Sequence, residues 1–325
     1  MLSKDKVYAL LGYSTPFDKK YTFVSSWILP PVALSCLRIL LGSYCFIAII
    51  YSYVWFSGNI DIYHLHDISE PTYTTVIGSS AIGRSFSYFT YLSYYGQGFY
   101  FIVTGIHGLF YARTGTTRLH SRFPPFLQVL HSLFYSCVTC FPILVTLTFW
   151  CTMYVGPWWT VTFDAWANLS VHLMNTVMAL LEITLATTAP LPWTHLPVLM
   201  VILSLYLGLA YLTRVTGGFW VYEWLVPYFG WWKIVLHVLG YTVAIILIFA
   251  FVRYTIWTRN WLLRRYKREE GAMDAFVAEK LGQEPDSSRS SRMLLSDPEA
   301  QRSSEGLWRP PLPVHQSLPR IGARI

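Results

Sequence analysis

A threonine, a histidine and three carboxamides set on helical faces within apolar segments are the residues here best placed to do chemistry. Between Trp166 and Thr188 runs a segment apolar enough to cross a bilayer, and it carries Asn168, His172, Asn175 and Glu182. At about 100° per residue these four fall within an arc of about 80°, so one polar stripe runs down an apolar rod. Ionisable groups at membrane depth normally face a protein interior or a wet cavity and mark a site or a pathway. An earlier apolar segment carries Ser87, Thr90, Tyr94, Gln97 and Thr104, which by the same arithmetic also share one face.

With both segments running inward from the exoplasmic side, Thr90 and His172 each lie about six residues, or about 9 Å, below the start of their span. At one level, a hydroxyl and an imidazole could form a nucleophile and its general base, because a threonine attacks poorly until a neighbour removes its proton. The same residues also fit a plainer role. A membrane threonine commonly bonds back to the carbonyl four residues earlier, and a lone histidine commonly bridges two helices. Asn168, one turn before His172, could orient the ring or donate to an oxyanion, with Asn175 and Gln97 as further polar support. Glu182 lies ten residues, about 15 Å, beyond His172, which is too far for a third triad member.

Other motifs point less clearly to chemistry. His64-Leu65-His66-Asp67 has no second ligand set, and the CxxC of Cys137 and Cys140 lies mid-span without a flanking histidine, so neither metal nor cofactor is expected. His107, His131 and His237 read as packing or interface residues. Ser204 and Gly208 suit a close helix contact through small side chains. The sequon at Asn168 begins inside a span, where modification is not expected. A Walker loop, a dinucleotide fingerprint, a GxSxG elbow and an HExxH are all missing, which removes the common soluble enzyme classes.

The elements that must position these residues follow from composition. A chain of 325 residues, 54% apolar and 18% aromatic but only 13% charged, has too little polar surface to dress a soluble globule. The expected fold class is an all-α polytopic membrane protein with six transmembrane helices, near 33–56, 85–111, 126–155, 166–188, 197–213 and 232–256. Pro142 should kink the third. The first span reads as an uncleaved anchor. The net charge of +7 comes from basic residues beside spans and in the tail rather than on a soluble face, so it implies topology and not nucleic acid. Lys4, Lys6, Lys19 and Lys20 precede the first span, Arg113, Arg118 and Arg122 fill the second loop, and six Lys or Arg residues lie between Arg253 and Arg268. These counts put both termini in the cytosol of an endomembrane or plasma-membrane protein. Arg38, near the cytosolic end of the first span, reads as a snorkelling side chain. The expected organisation is a cytosolic N-terminal segment at 1–28, a six-helix transmembrane domain at 29–266 and a disordered cytosolic tail at 267–325. The tail's Ser/Arg run at 287–292 and its Arg309-Pro310-Pro311-Leu312-Pro313 cluster could be phosphorylated or could bind cytosolic partners.

Three motifs carry a family resemblance. Trp166-Ala167-Asn168, with His172 and Glu182 following, resembles the W-x-N-x-x-x-H-x9-E helix of the androgen-induced protein family, whose wider group includes rolling-stone-like proteins. Tyr88-Phe89-Thr90-Tyr91-Leu92 is similar to the aromatic–Thr–aromatic segment of that family. Val215-Thr216-Gly217 with Trp220-Val221-Tyr222 is similar to its V-T-G…W-V-Y turn. The likeness spans roughly residues 85–225 and departs at Leu169, where the family has histidine, and at the extra Gly218. The long N-terminal segment and the tail lie outside it. The resemblance implies an integral membrane hydrolase of fatty acid esters of hydroxy fatty acids, with Thr90 and His172 matching the family's catalytic pair. The competing classes are a non-catalytic multi-pass scaffold or signalling protein, in which the stripes only join helices, and a small-solute transporter. Paired broken helices or internal repeats would mark the transporter, and the sequence has neither.

Overall fold

The computed structural model describes residues 4–11, 17–59, 79–117 and 122–280. The helices in chain order are α1 (Lys4–Leu10), α2 (Pro31–Gly58), α3 (Ser79–Ser85), α4 (Phe89–Thr114), α5 (Pro125–Met153), α6 (Thr162–Leu185), α7 (His195–Gly217) and α8 (Trp231–Lys280). Among the described residues there is no β-strand, only an isolated bridge between Ser26 and Ala186. Prolines open α2 and α5 because the missing N–H costs nothing in a first turn. Gly115 and Gly218 close α4 and α7 in the left-handed conformation, at φ of 69° and 76°.

Five of the six long helices have the length and apolarity to cross a membrane, and the chain is an all-α polytopic membrane protein. The sixth, α4, has 26 residues but is made polar by Thr90, Ser93, Gln97, Thr104 and its tyrosines. Protein rather than lipid covers much of it. Tyr94, Gln97, Gly98, Tyr100, Phe101, Thr104, Gly105 and Gly108 are all buried. Its closest neighbour is α2, and the seam between them is lined with glycine. A Cβ on Gly105 would stand 2.7 Å from Ile39 Cγ1 and 3.0 Å from the Ser35 carbonyl, and one on Gly42 would stand 2.9 Å from the Gly98 carbonyl. Leu40, Ile47, Leu205 and Leu247 point outward from α2, α7 and α8 as exposed apolar side chains suited to lipid.

Three expectations need correction. Arg38 does not snorkel: it is 1% exposed and forms a two-pronged ion pair with Glu182, with Nε 2.9 Å from Oε2 and Nη2 2.5 Å from Oε1. An opposite charge at the same depth on α6 holds it more strongly than the interface would. Gly208 makes no close helix contact, since a Cβ there would meet nothing within 4 Å, and the small-residue packing lies at the α2–α4 seam instead. The helix after the last span runs on to Lys280, so the residues from 267 to 280 are helical rather than tail-like. Strong helix formers fill that stretch, and Arg265 Nε donates to Glu269 Oε1 at 3.0 Å one turn on. The chain divides into two compact units, Met1–Trp261 and Leu262–Ile325, and the bundle belongs to the first. The Ser/Arg run, the proline cluster and the His64–His66 loop lie outside the described residues.

Candidate active site

Thr90 stands in the first turn of α4 and lines a cavity of ≈ 160 Å³ between α4, α5, α7 and α8. That volume is close to the engineered cavity of about 150 Å³ that admits a benzene-sized guest. The walls are mostly apolar, including Leu144, Val145, Leu203, Val238 and Ile245, with hydroxyls from Thr148, Ser204, Tyr206, Tyr222 and Thr242. The turn that carries Thr90 is held by two tyrosines. The Phe89 N–H donates to the Tyr206 hydroxyl at 3.0 Å, and that hydroxyl lies 3.0 Å from both the Ser87 carbonyl and the Tyr222 hydroxyl. Tyr206 thereby satisfies one of the amides that a helix start leaves without a partner. Burial pushes the Tyr222 hydroxyl up to about 12, so it keeps its proton at neutral pH.

His172 lies just behind this cavity. Helix α5 ends in a π-helical turn, Phe149–Met153, and α6 contains another, Ser170–Met174. π-turns within α-helices are frequent at functional sites. Here they face each other: the Phe149 and His172 rings stack with centroids 3.7 Å apart and an interplanar angle of 3°, and Trp150 Nε1 donates to the His172 carbonyl at 3.2 Å. Phe149 also lines the cavity that holds Thr90. Thr90 and Phe149 thus line one cavity while His172 stacks on Phe149, and no hydrogen bond joins Thr90 to His172. Helix α4 begins later than expected, so counting residues from the two span starts no longer gives their relative depth.

The supporting residues divide into two groups. Asn168 Nδ2 donates to the Asp164 carbonyl at 2.9 Å within its own helix. Asn175 and Gln97, both fully buried, meet where Gln97 Nε2 donates to the Asn175 carbonyl at 2.8 Å. Asn175 Oδ1 accepts from Thr146 Oγ1 at 2.9 Å and from the Thr176 N–H at 2.7 Å, which ties α6 to α5 just after the π-turn. Ser204 lines the cavity instead of a helix contact. Cys137 and Cys140 are free thiols in α5. Among the described residues no group of three or more His, Cys, Asp or Glu side chains gathers as a metal site would require.

Two polar pairs escaped the sequence reading. The first is Arg38–Glu182, joined by the Tyr100 hydroxyl donating to Glu182 Oε1 at 3.0 Å and by Arg38 Nη1 donating to the Phe23 carbonyl at 2.7 Å. Its signal was present: opposite charges in two spans, one near the start of α2 and one near the end of α6. The second is Ser136 Oγ with His195 Nδ1 at 2.7 Å, where the other ring nitrogen lies 3.0 Å from the Leu11 carbonyl. Donation to that carbonyl fixes Nδ1 as the acceptor of the serine proton. No helical-face pattern within one span joins Ser136 to His195. No protein-family model, curated protein or solved structure matches the chain.

Proposed function

We propose that the protein hydrolyses a lipid carboxylic ester, a fatty acid ester of a hydroxy fatty acid in the reading that the motifs suggest, with Thr90 as nucleophile and His172 as general base. The carrying observation is that Thr90 lines an apolar cavity whose Phe149 wall is stacked on an imidazole set in a π-turn. An acyl chain in that cavity gains about 25 cal/mol for each Å² taken from water, and the hydroxyl-bearing wall receives the ester. Phe149 swings aside to bring the pair together. Thr90 Oγ attacks the acyl carbon as its proton passes to His172, the tetrahedral intermediate collapses, and the alcohol leaves with that proton. Water then attacks the acyl-threonine, gives a proton to His172, and Thr90 leaves as the restored hydroxyl. Tyr222, protonated at neutral pH, is a donor available to the developing oxyanion. In the membrane both termini face the cytosol, the bilayer delivers the substrate, and the Ser/Arg and proline tail recruits cytosolic partners.

An activity-based probe that acylates hydroxyl nucleophiles tests this on the full chain in detergent. Wild type is labelled and turns over members of a lipid ester panel; Thr90→Ala loses both, and His172→Ala loses turnover while still folding. A well-folded wild type that neither labels nor cleaves any ester overturns the proposal and leaves the scaffold reading, in which the polar stripes serve only to join helices.

A further inference from the structure

Four polar atoms around the second π-turn are buried without a nitrogen or oxygen partner: Tyr94 Oη, Gln97 Oε1, His172 Nδ1 and Asn175 Nδ2. Tyr94, Gln97 and Asn175 are each 0% exposed. The Tyr94 hydroxyl has only the Cys45 thiol beside it, a weak partner already directed at Met178 Sδ, 3.7 Å away. The four belong together by register. Gln97 touches Asn175, and Tyr100 touches Glu182, so α4 and α6 run in the same direction. Tyr94 and His172 each lie three residues back from that first contact, one turn nearer the helix starts. Neither the cavity lined by Thr90 nor a second apolar one lined by Leu92, Ser93 and Phe134 includes any of the four.

We infer that Tyr94, Gln97 and Asn175 form a buried site for internal water, running toward His172 Nδ1. A buried water typically makes about three hydrogen bonds to polar groups that otherwise lack partners. The site offers what water needs: an amide oxygen to accept, an amide N–H to donate, and a hydroxyl that does either. An acyl chain would leave all three unsatisfied, at about 1–3 kcal/mol each, which excludes it as the occupant. The site stands by itself, and its catalytic use rests on the proposed hydrolase. There, water hydrogen-bonded at Nδ1 fixes the tautomer of His172, and the same file supplies the molecule that hydrolyses the acyl-threonine. That molecule's oxygen bonds to the acyl carbon, its proton goes to His172, and the proton passes from there to the departing Thr90 oxygen.

X-ray radiolytic footprinting of the full chain reads this without reference to activity, because hydroxyl radicals formed from bound water oxidise the side chains beside it even where bulk solvent does not reach. Tyr100 is the internal control: it is on the same helix and equally buried, but its hydroxyl is spent on Glu182. The expected result is oxidation of Tyr94 several-fold faster than of Tyr100, with the difference lost in the Gln97→Leu/Asn175→Leu variant. Equal rates in wild type overturn the inference, as does fast Tyr94 oxidation that persists unchanged in the variant. Should the variant not fold, the wild-type comparison decides alone. Fast, variant-sensitive Tyr94 oxidation in a protein that cleaves no ester upholds the site and removes only the hydrolase. Ester cleavage with equal tyrosine rates does the reverse.

Discussion

Replacing Glu182 by glutamine should be among the most damaging single changes in the bundle, although it alters one atom. The carboxylate takes two hydrogen bonds from Arg38 and one from Tyr100, and both Arg38 and Glu182 are at most 3% exposed. Glutamine keeps the shape and one accepting oxygen, but it removes the negative charge and turns an NH2 donor toward one of the Arg38 N–H groups, leaving the buried cation without a counter-ion. At an effective dielectric of about 20, unit charges about 4 Å apart attract by about 4 kcal/mol. That agrees with the about 3–5 kcal/mol lost when one partner of a buried pair is removed. At about 2–4 °C per kcal/mol for a bundle of this size, the melting temperature should fall by about 10 °C. Thermal unfolding in detergent, followed by tryptophan fluorescence or by loss of the monodisperse peak, measures it. The sharper test is a double-mutant cycle with Arg38→Met and Glu182→Leu. The double variant buries no charge and strands only the Tyr100 hydroxyl and the Phe23 carbonyl, so it should be more stable than either single variant. A Glu182→Gln protein that melts with wild type, or a double variant worse than both singles, refutes the reasoning.

Other substitutions test separate parts of the structure. Gly105→Val should cost about 1–3 kcal/mol by overpacking the α2–α4 seam, whereas Gly208→Ala, whose Cβ meets open space, should gain up to about 1 kcal/mol of helix propensity; melting curves of both compare them directly. Ser136→Ala removes the hydroxyl bonded to His195 Nδ1 and should cost about 1–3 kcal/mol, read as a lower melting temperature together with faster proteolysis of the N-terminal segment that His195 holds at Leu11. Phe149→Ala uncovers one face of the His172 ring, so diethyl pyrocarbonate should modify His172 faster than in wild type; an unchanged rate would show that Phe149 does not screen it.

The helices were legible because apolar runs with proline starts and glycine stops report their own boundaries. Side-chain partners were legible only where one helix face carried the pattern. Spacing put Asn168, His172, Asn175 and Glu182 on one stripe, but the π-turn at Ser170–Met174 shifts the register between them: Asn168 bonds back to Asp164 while Asn175 crosses to α5 and Glu182 to α2. Arg38 was misread because its distance from the helix end allows snorkelling just as well as pairing, and only the neighbouring helix decides between them. The later start of α4 was hidden for a similar reason. Ser85-Phe86-Ser87-Tyr88 mixes small polar and aromatic residues as the first turns of α4 do, and the start of α4 is marked by the Tyr206 hydroxyl, 117 residues away in sequence, capping the Phe89 amide. The π-turns leave no periodic signature at all, since the register shift that makes them is fixed by contacts between helices.

Polar groups along α6 fall into an ionic network near its end and a set without protein partners around the π-turn. Near the end of the helix Glu182 is answered by Arg38 and Tyr100, and just beyond it the Thr188 hydroxyl is answered by Tyr135 at 2.7 Å and the Thr188 carbonyl by Arg259 and Asn260 at 2.7 and 3.0 Å. Toward its start, around the π-turn, polar atoms of Tyr94, Gln97, His172 and Asn175 are buried without such answers. Left dry, each would cost about 1–3 kcal/mol, the cost that internal water at the inferred site offsets. One half of the helix is anchored by an ionic network, and the other carries the polar groups of the inferred water site. Disruption of the Arg38–Glu182 end should therefore cost the most stability, and disruption of the Gln97–Asn175 end should cost less stability and, in the proposed hydrolase, lower turnover.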